Sequence, residues 1–312
     1  MVRYIKQIFL YCQWSIVKLI AMLPFGALYI LSDGLCFLAR NMIHYRRRVV
    51  RTNLKNSFPE KSEVELRRIE RDFYHYLCDY MLEEVKLLRI TLAELCRRMD
   101  YQGKELFLEM IEQHNGIVLL IPHYANFEWI IGMGAIMKEG DLPVQVYKPL
   151  HDPYLDRLFQ RIRSRFGGYN VPKHTTAREL IKLRHAGKRM VVGLITDQSP
   201  SGNDAHYWTT FLNQETVFMD GAERIAKMMN YPVFYCELER LRRGYCRVTF
   251  ELVTEFPKST AVGEITEQFV RRLENTIRKA PAYWFWSHKR WKIKRSQVKT
   301  EIDAEKQKPN TN

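Results

Sequence analysis

The sequence predicts an α/β protein: a central mixed sheet flanked by helices and preceded by a membrane-associated helical segment. Two observations carry that prediction. Residues 117–121, 144–147 and 190–195 are short β-rich runs that end in polar turns, and helical patterns alternate with them. Ahead of them, residues 5–39 are crowded with apolar and aromatic side chains, and a block of arginines follows. The chain divides accordingly into a membrane-associated segment at 1–40, a helical scaffold at 41–100, an α/β core at 101–294 and a disordered polar tail at 295–312.

In the first segment Lys18, Pro24, Gly26 and Asp33 interrupt the apolar character, so no clean run of about 20 apolar residues is available to span a bilayer. The usual small-residue cleavage pattern of a signal peptide is missing as well. An embedded or interfacial helix is expected, with a pair of buried amphipathic helices as the alternative. Arg40, Arg46, Arg47, Arg48, Arg51 and Lys55 follow, and no acidic residue lies between Asp33 and Glu60. Such a cluster attracts an anionic cytoplasmic leaflet at about 1 kcal/mol per charge near the surface, and it fits the positive-inside rule. A solvated helix face is the plainer reading.

Residues 60–100 read as two charged amphipathic helices, with Phe73, Tyr76, Leu77, Tyr80 and Met81 at helical spacing. Another helix from Gly103 to His114 stops at Asn115-Gly116. After strand 144–147, Lys148-Pro149 leads to a helix opened by Asp152-Pro153 that carries Arg157, Arg161, Arg163 and Arg165. Helix 176–187 precedes strand 190–195, which ends in Thr196-Asp197-Gln198. Trp208, Phe211 and Leu212 suggest an apolar lip, Gly221 opens a helix, 232–240 and 244–253 form a hairpin, and 263–279 is amphipathic. In an α/β sheet the site is expected beyond the carboxyl ends of the strands.

With 312 residues and 46% hydrophobic content, the chain can bury a large core. Its formal charge of +14 suits nucleic acid, anionic lipid or an acidic protein. No zinc finger or RNP sequence is present, so no nucleic-acid partner is expected. The six cysteines form no CxxC pair, which argues against a zinc site or disulfide framework; Cys236 and Cys246 could face each other across a hairpin, but two small core thiols are expected.

The chemistry points to residues 116–129. An apolar run stops at Pro122, His123 follows in a polar turn, and Asn126 is placed to cap a helix whose first turn holds Glu128. On one regular helix, residues five apart would diverge by about 140°, whereas a turn leading into a helix can aim both at one point. Glu128 could then accept a hydrogen bond from one His123 ring nitrogen and leave the other to take a proton. A satisfied turn histidine and a glutamate favoured by the helix dipole remain the alternative.

His123 and Glu128, in the form HYANFE after a hydrophobic strand, resemble the signature of the late acyltransferases of lipid A biosynthesis, the lauroyl/myristoyl transferase family. Further segments recur in that family's order over roughly 20–293: Arg51-Thr52-Asn53-Leu54 with Phe58-Pro59, Val146-Tyr147-Lys148-Pro149, Asp197-Gln198, and 281–292 with its HxRWK ending. Lys148 stands where the family usually has Arg, and Phe218-Met219-Asp220-Gly221 departs from the usual threonine-glycine helix start.

The resemblance implies a glycerolipid acyltransferase-like fold and transfer of a fatty acyl group from acyl carrier protein to a hydroxyl of a phosphorylated lipid A precursor, with no metal or redox cofactor. It assigns His123 as general base and Glu128 as the residue that orients it. Arg163, Asp197 and Lys148 are assigned to substrate binding or the oxyanion. An acyltransferase for another lyso-lipid, aminolipid or lysophospholipid, and a non-catalytic basic membrane scaffold are the competing readings. The closing segment is expected either at lipid headgroup level or as a lock on the last helix.

Overall fold

The computed structural model describes residues 14–200 and 205–295. Cys12, the start of the apolar segment and almost all of the expected polar tail lie outside the described residues. Helix α1 covers 14–22 and is followed by α2 (Phe25–Phe37), a π turn (Leu38–Met42), α3 (Arg47–Ser57), α4 (Glu63–Lys86) and α5 (Leu92–Arg98). Ser62 caps α4 through a reciprocal pair with Glu65, which fixes where this long helix begins.

The core follows as β1 (Met99–Gln102), α6 (Lys104–His114), β2 (Gly116–Ile121), a 3-10 helix (Phe127–Ala135), β3 (Asp141–Tyr147), α7 (Pro153–Arg163), β4 (Tyr169–Pro172), α8 (Thr176–His185) and β5 (Arg189–Ile195). A small hairpin comes next, β6 (Tyr207–Phe211) with β7 (Gln214–Phe218). Helix α9 (Gly221–Met229), the hairpin β8 (Val233–Arg242) and β9 (Tyr245–Thr254), and α10 (Glu264–Lys279) complete the core. Seven strands form one sheet in the order β1-β9-β8-β2-β5-β3-β4. All neighbours are parallel except β8 with β9, so the sheet is mixed as expected.

Every residue of β2 is buried, because this central strand is covered on both faces. Its unbroken apolar run is the sequence trace of that position. Cys236 and Cys246 are buried free thiols as expected, but they are not cross-strand partners: Cys236 faces Phe250 and Cys246 faces Arg240. The apolar lip is also corrected. Phe211 at the end of β6 and Leu212 in the β6–β7 turn are fully buried rather than standing at an opening.

Among the described residues no helix is long and apolar enough to cross a membrane. The first helices nevertheless leave Ile16, Leu19, Met22, Ile30, Phe37, Met42 and Ile43 exposed.

Candidate active site

Strand register builds the centre of the site. Ile121 of β2 lies opposite Ile195 of the parallel β5, so His123 and Asp197, each two residues beyond its strand, emerge side by side. Asp197 is fully buried; its carboxylate lies 2.6 Å from His123 Nδ1 and accepts from the His123 backbone N–H at 3.1 Å. The Trp284 indole N–H donates to the same carboxylate at 2.8 Å. Burial alone would raise the Asp197 carboxyl, but the His123 charge and these donors outweigh it and hold the group below its ordinary range. An ionised Asp197 requires the proton on Nδ1, which leaves Nε2 as the basic nitrogen of His123. The ring packs edge-on to Phe127 and Phe285.

The partner of His123 is therefore Asp197, where Glu128 was expected. Two backbone features carry Glu128 elsewhere. Ala125 adopts a left-handed conformation with φ 46°, held because its N–H donates to Tyr283 O at 2.9 Å and its carbonyl accepts from Tyr76 Oη at 2.8 Å. The chain then enters a 3-10 helix, and Asn126 does not cap it; its amide donates instead to Glu83 of α4 at 2.5 Å.

Glu128 thus turns toward α7, where Arg163 grips it with two bonds, Nη2 to Oε1 at 2.6 Å and Nε to Oε2 at 3.2 Å. Arg163 reaches this point because Gly168 lets the chain after α7 fold back tightly: a Cβ there would stand 2.3 Å from the Arg163 carbonyl. Lys148 is exposed beyond β3, and no contact joins it to these residues.

Helix α4, expected as scaffold, brings two further groups. Tyr80 stacks on Phe127 with ring centroids 5.5 Å apart. Glu84 is buried with neither carboxylate oxygen hydrogen-bonded. Burial, then the Glu128 charge, push its carboxyl well above the ordinary range against the pull of Arg163, so its neutral form is favoured. A signal existed in the sequence: Phe73, Leu77, Tyr80 and Glu84 fall on one helical stripe, so a carboxyl sits on a face that the aromatics mark as buried.

The closing segment is a clamp rather than a headgroup-level belt, since Trp284 and Trp286 are buried. Tyr124 and Trp284 pair across an antiparallel bridge. Asn53 of α3 donates to the carbonyls of Trp286 and His288 at 2.8 and 3.0 Å, which gives the Asn of the Arg51-to-Leu54 segment its task. His288 accepts from the Ser199 backbone N–H at 3.1 Å, and burial together with the Arg290 charge pushes it down to about 4, a neutral acceptor. Arg290 is buried over the Phe218 ring and donates to Val217 O at 2.6 Å.

The family model of the bacterial lipid A biosynthesis acyltransferases matches residues 1–293. The chain belongs to that family. It is therefore an acyltransferase that moves groups other than aminoacyl groups. Lipid A biosynthesis lauroyltransferase of Escherichia coli (strain K12) is 23% identical over 283 residues, 90% of each chain. The lipid A biosynthesis acyltransferase of Haemophilus influenzae is 20% identical over 274 residues, 86% of this chain and 82% of that one. The lipid A biosynthesis myristoyltransferase of Escherichia coli (strain K12) is 27% identical over 125 residues, 39% of this acyltransferase and 37% of the relative.

Proposed function

We propose that this acyltransferase moves a fatty acyl group from the thioester of acyl carrier protein to a hydroxyl of a phosphorylated lipid A precursor at the cytoplasmic face of the inner membrane. The observation that carries the reading is the Asp197–His123 pair at the ends of adjacent parallel strands in a chain of this family. Asp197 holds Nδ1–H, so Nε2 takes the proton of the acceptor hydroxyl as its oxygen attacks the thioester carbonyl. The tetrahedral intermediate expels the thiolate of the donor, which receives the proton from the imidazolium. No acyl-enzyme forms. Asp197, dry and anionic, stabilises the imidazolium between the two transfers.

Glu128 acts one step further out. Its two bonds hold the Arg163 guanidinium beside the 3-10 helix that follows the histidine turn, as the cation that counters negative charge on the substrate or intermediate. The exposed apolar residues of α1 and α2, followed by Arg46, Arg47, Arg48 and Arg51, support seating on an anionic bilayer. The net charge of +14 favours both an acidic carrier protein and a phosphorylated acceptor.

The test is transfer of labelled acyl groups from acyl carrier protein to a purified lipid A precursor by the detergent-solubilised protein. Transfer by the parent protein is expected, with His123→Ala and Glu128→Ala each slower by about 10² to 10⁴. Near-normal turnover of His123→Ala would remove the mechanism, and a parent protein that acylates only another lyso-lipid would replace the acceptor.

A further inference from the structure

Outside the site just described, a cavity of about 280 Å³ opens between α1, the end of α4 and α7, lined by Trp14, Lys18, Ala21, Leu88, Arg89 and Arg161. Three of those six residues are cationic and none is acidic. Lys18, Arg89 and Arg161 come from three separate elements and make no salt bridge to any carboxylate among the described residues, whereas Arg47, Arg189, Arg243, Arg247 and Arg272 elsewhere in the protein do. Gathering like charges around a concavity without a counter-ion costs repulsion that a bound anion would relieve.

The walls are fixed. Lys86 Nζ donates to the carbonyls of Ala21 and Leu23 at 3.1 and 2.6 Å, which ties the end of α1 to α4. Arg165 donates to the carbonyls of Leu87 and Ile90, at 2.9 Å in the second case, which ties the end of α7 to the segment bearing Arg89. Arg165 is itself pushed downward, first by burial and then by the charges of Arg161 and Arg89.

The third feature is what borders the cavity. Trp14, Lys18 and Ala21 share one stripe of α1, and Lys18 lies against the Trp14 ring at 5.3 Å. Met22 stands exposed next to that stripe, and Leu19 and Ile16 continue the exposed apolar face farther round the same helix. A cationic hollow beside an exposed apolar helix face matches a ligand with an anionic head and hydrocarbon chains. Arg161 and Arg163 are two residues apart on α7 and point to opposite sides, so the hollow lies on the order of 10 Å, one helix diameter, from the Arg163–Glu128 pair.

We infer that the hollow formed by Lys18, Arg89, Arg161 and Trp14 is a binding site for the phosphate monoester of a membrane lipid. Its chains lie along the apolar face of α1. This deepens the function proposed above by giving an acceptor phosphate a seat beside the chemistry, and it rests on that reading only for the acceptor's identity.

The experiment compares cosedimentation of the full chain with phosphatidylcholine vesicles carrying phosphatidic acid or phosphatidylglycerol at matched surface charge, alongside calorimetric titration with inorganic phosphate. The parent protein is expected to prefer phosphatidic acid by about tenfold, the worth of one to two charged contacts. The Lys18→Gln/Arg89→Gln/Arg161→Gln protein should lose that preference while still binding phosphatidylglycerol through Arg46 to Arg51, which also reports that it folds. Inorganic phosphate alone should not bind at millimolar concentration. Equal affinity of the parent for both vesicles, an undiminished preference in the triple variant, or binding of free phosphate as tight as that of the lipid would each overturn the assignment.

In the transfer assay the triple variant should raise KM for a phosphorylated acceptor with kcat unchanged. Absence of transfer with phosphatidic acid preference intact would count against the proposed function alone. Transfer without that preference would count against the phosphate site alone.

Discussion

The two ion pairs of the site are built by different means. His123 and Asp197 meet because β2 and β5 run parallel with Ile121 opposite Ile195, so backbone register alone brings them together. Arg163 and Glu128 meet because α7 and a 3-10 turn converge from positions far apart in the chain, and α4 sets the unbonded Glu84 carboxyl close enough to feel both charges. The first pair is set by a sheet whose slippage would turn every buried side chain outward. The second depends on how helices pack, and it holds one carboxylate against the guanidinium with a second, unbonded carboxyl buried nearby.

The largest effect that would break this contrast is expected at Asp197. Asp197→Asn removes the charge that fixes Nδ1–H and should lower kcat by about 10² to 10⁴ with little change in KM for the acceptor. If Asp197→Asn is nearly as fast as the parent, the register-built pair is structural and the base lies elsewhere.

Next comes the backbone that delivers Arg163. Gly168→Ala forces a methyl group against the Arg163 carbonyl, which must shift, and a displacement near 1 Å should slow transfer by about 10- to 100-fold while the sheet stays intact. Steady-state rates read with a far-ultraviolet dichroism spectrum check both halves of that statement.

Asn53→Ala should be milder. It frees the Trp286 and His288 carbonyls and is expected to cost about 1 to 3 kcal/mol in denaturant unfolding, with the loss of activity following from a loosened Trp284.

Glu84→Gln is expected to have the smallest effect, and its pH dependence sharpens the comparison. The folded-state value of Glu84 lies above that of the unfolded chain, near 4.3, so the folded protein retains a proton that the unfolded chain gives up as pH rises. Glu84 therefore contributes no pH dependence below about pH 4, and stability declines above it. Glu84→Gln should match the parent at low pH and gain in melting temperature as pH increases. A constant difference across pH would show that Glu84 keeps its charge in the fold.

The same contrast explains what the sequence made legible. The apolar runs of β2 and β5, the β8–β9 hairpin, the Asp152 cap of α7 and the Asn115 stop of α6 all appear as local patterns, because each is set by neighbours in the chain. His123 and Asp197 were both visible as polar residues at strand ends. Their pairing was not, since it requires knowing that β5 lies beside β2, and spacing favoured the nearer Glu128. The left-handed Ala125 that turns Glu128 away leaves no trace in residue type, because alanine is not the residue that conformation selects. Glu84 was hidden among the charges of an amphipathic helix, and Trp284 among aromatics that suit a membrane surface equally well.

The clamp formed by 281–291 also sets an order of events in biogenesis. Trp284 donates to Asp197 and Tyr283 receives the Ala125 N–H, so both halves of the central pair are finished by residues synthesised after the whole sheet. A nascent chain already seated on the bilayer by its first helices would carry the base turn without the contacts that shape it. On the proposed membrane seating, activity would arise late, when the last stretch docks, and membrane arrival and catalytic competence would be separate steps in the life of the enzyme.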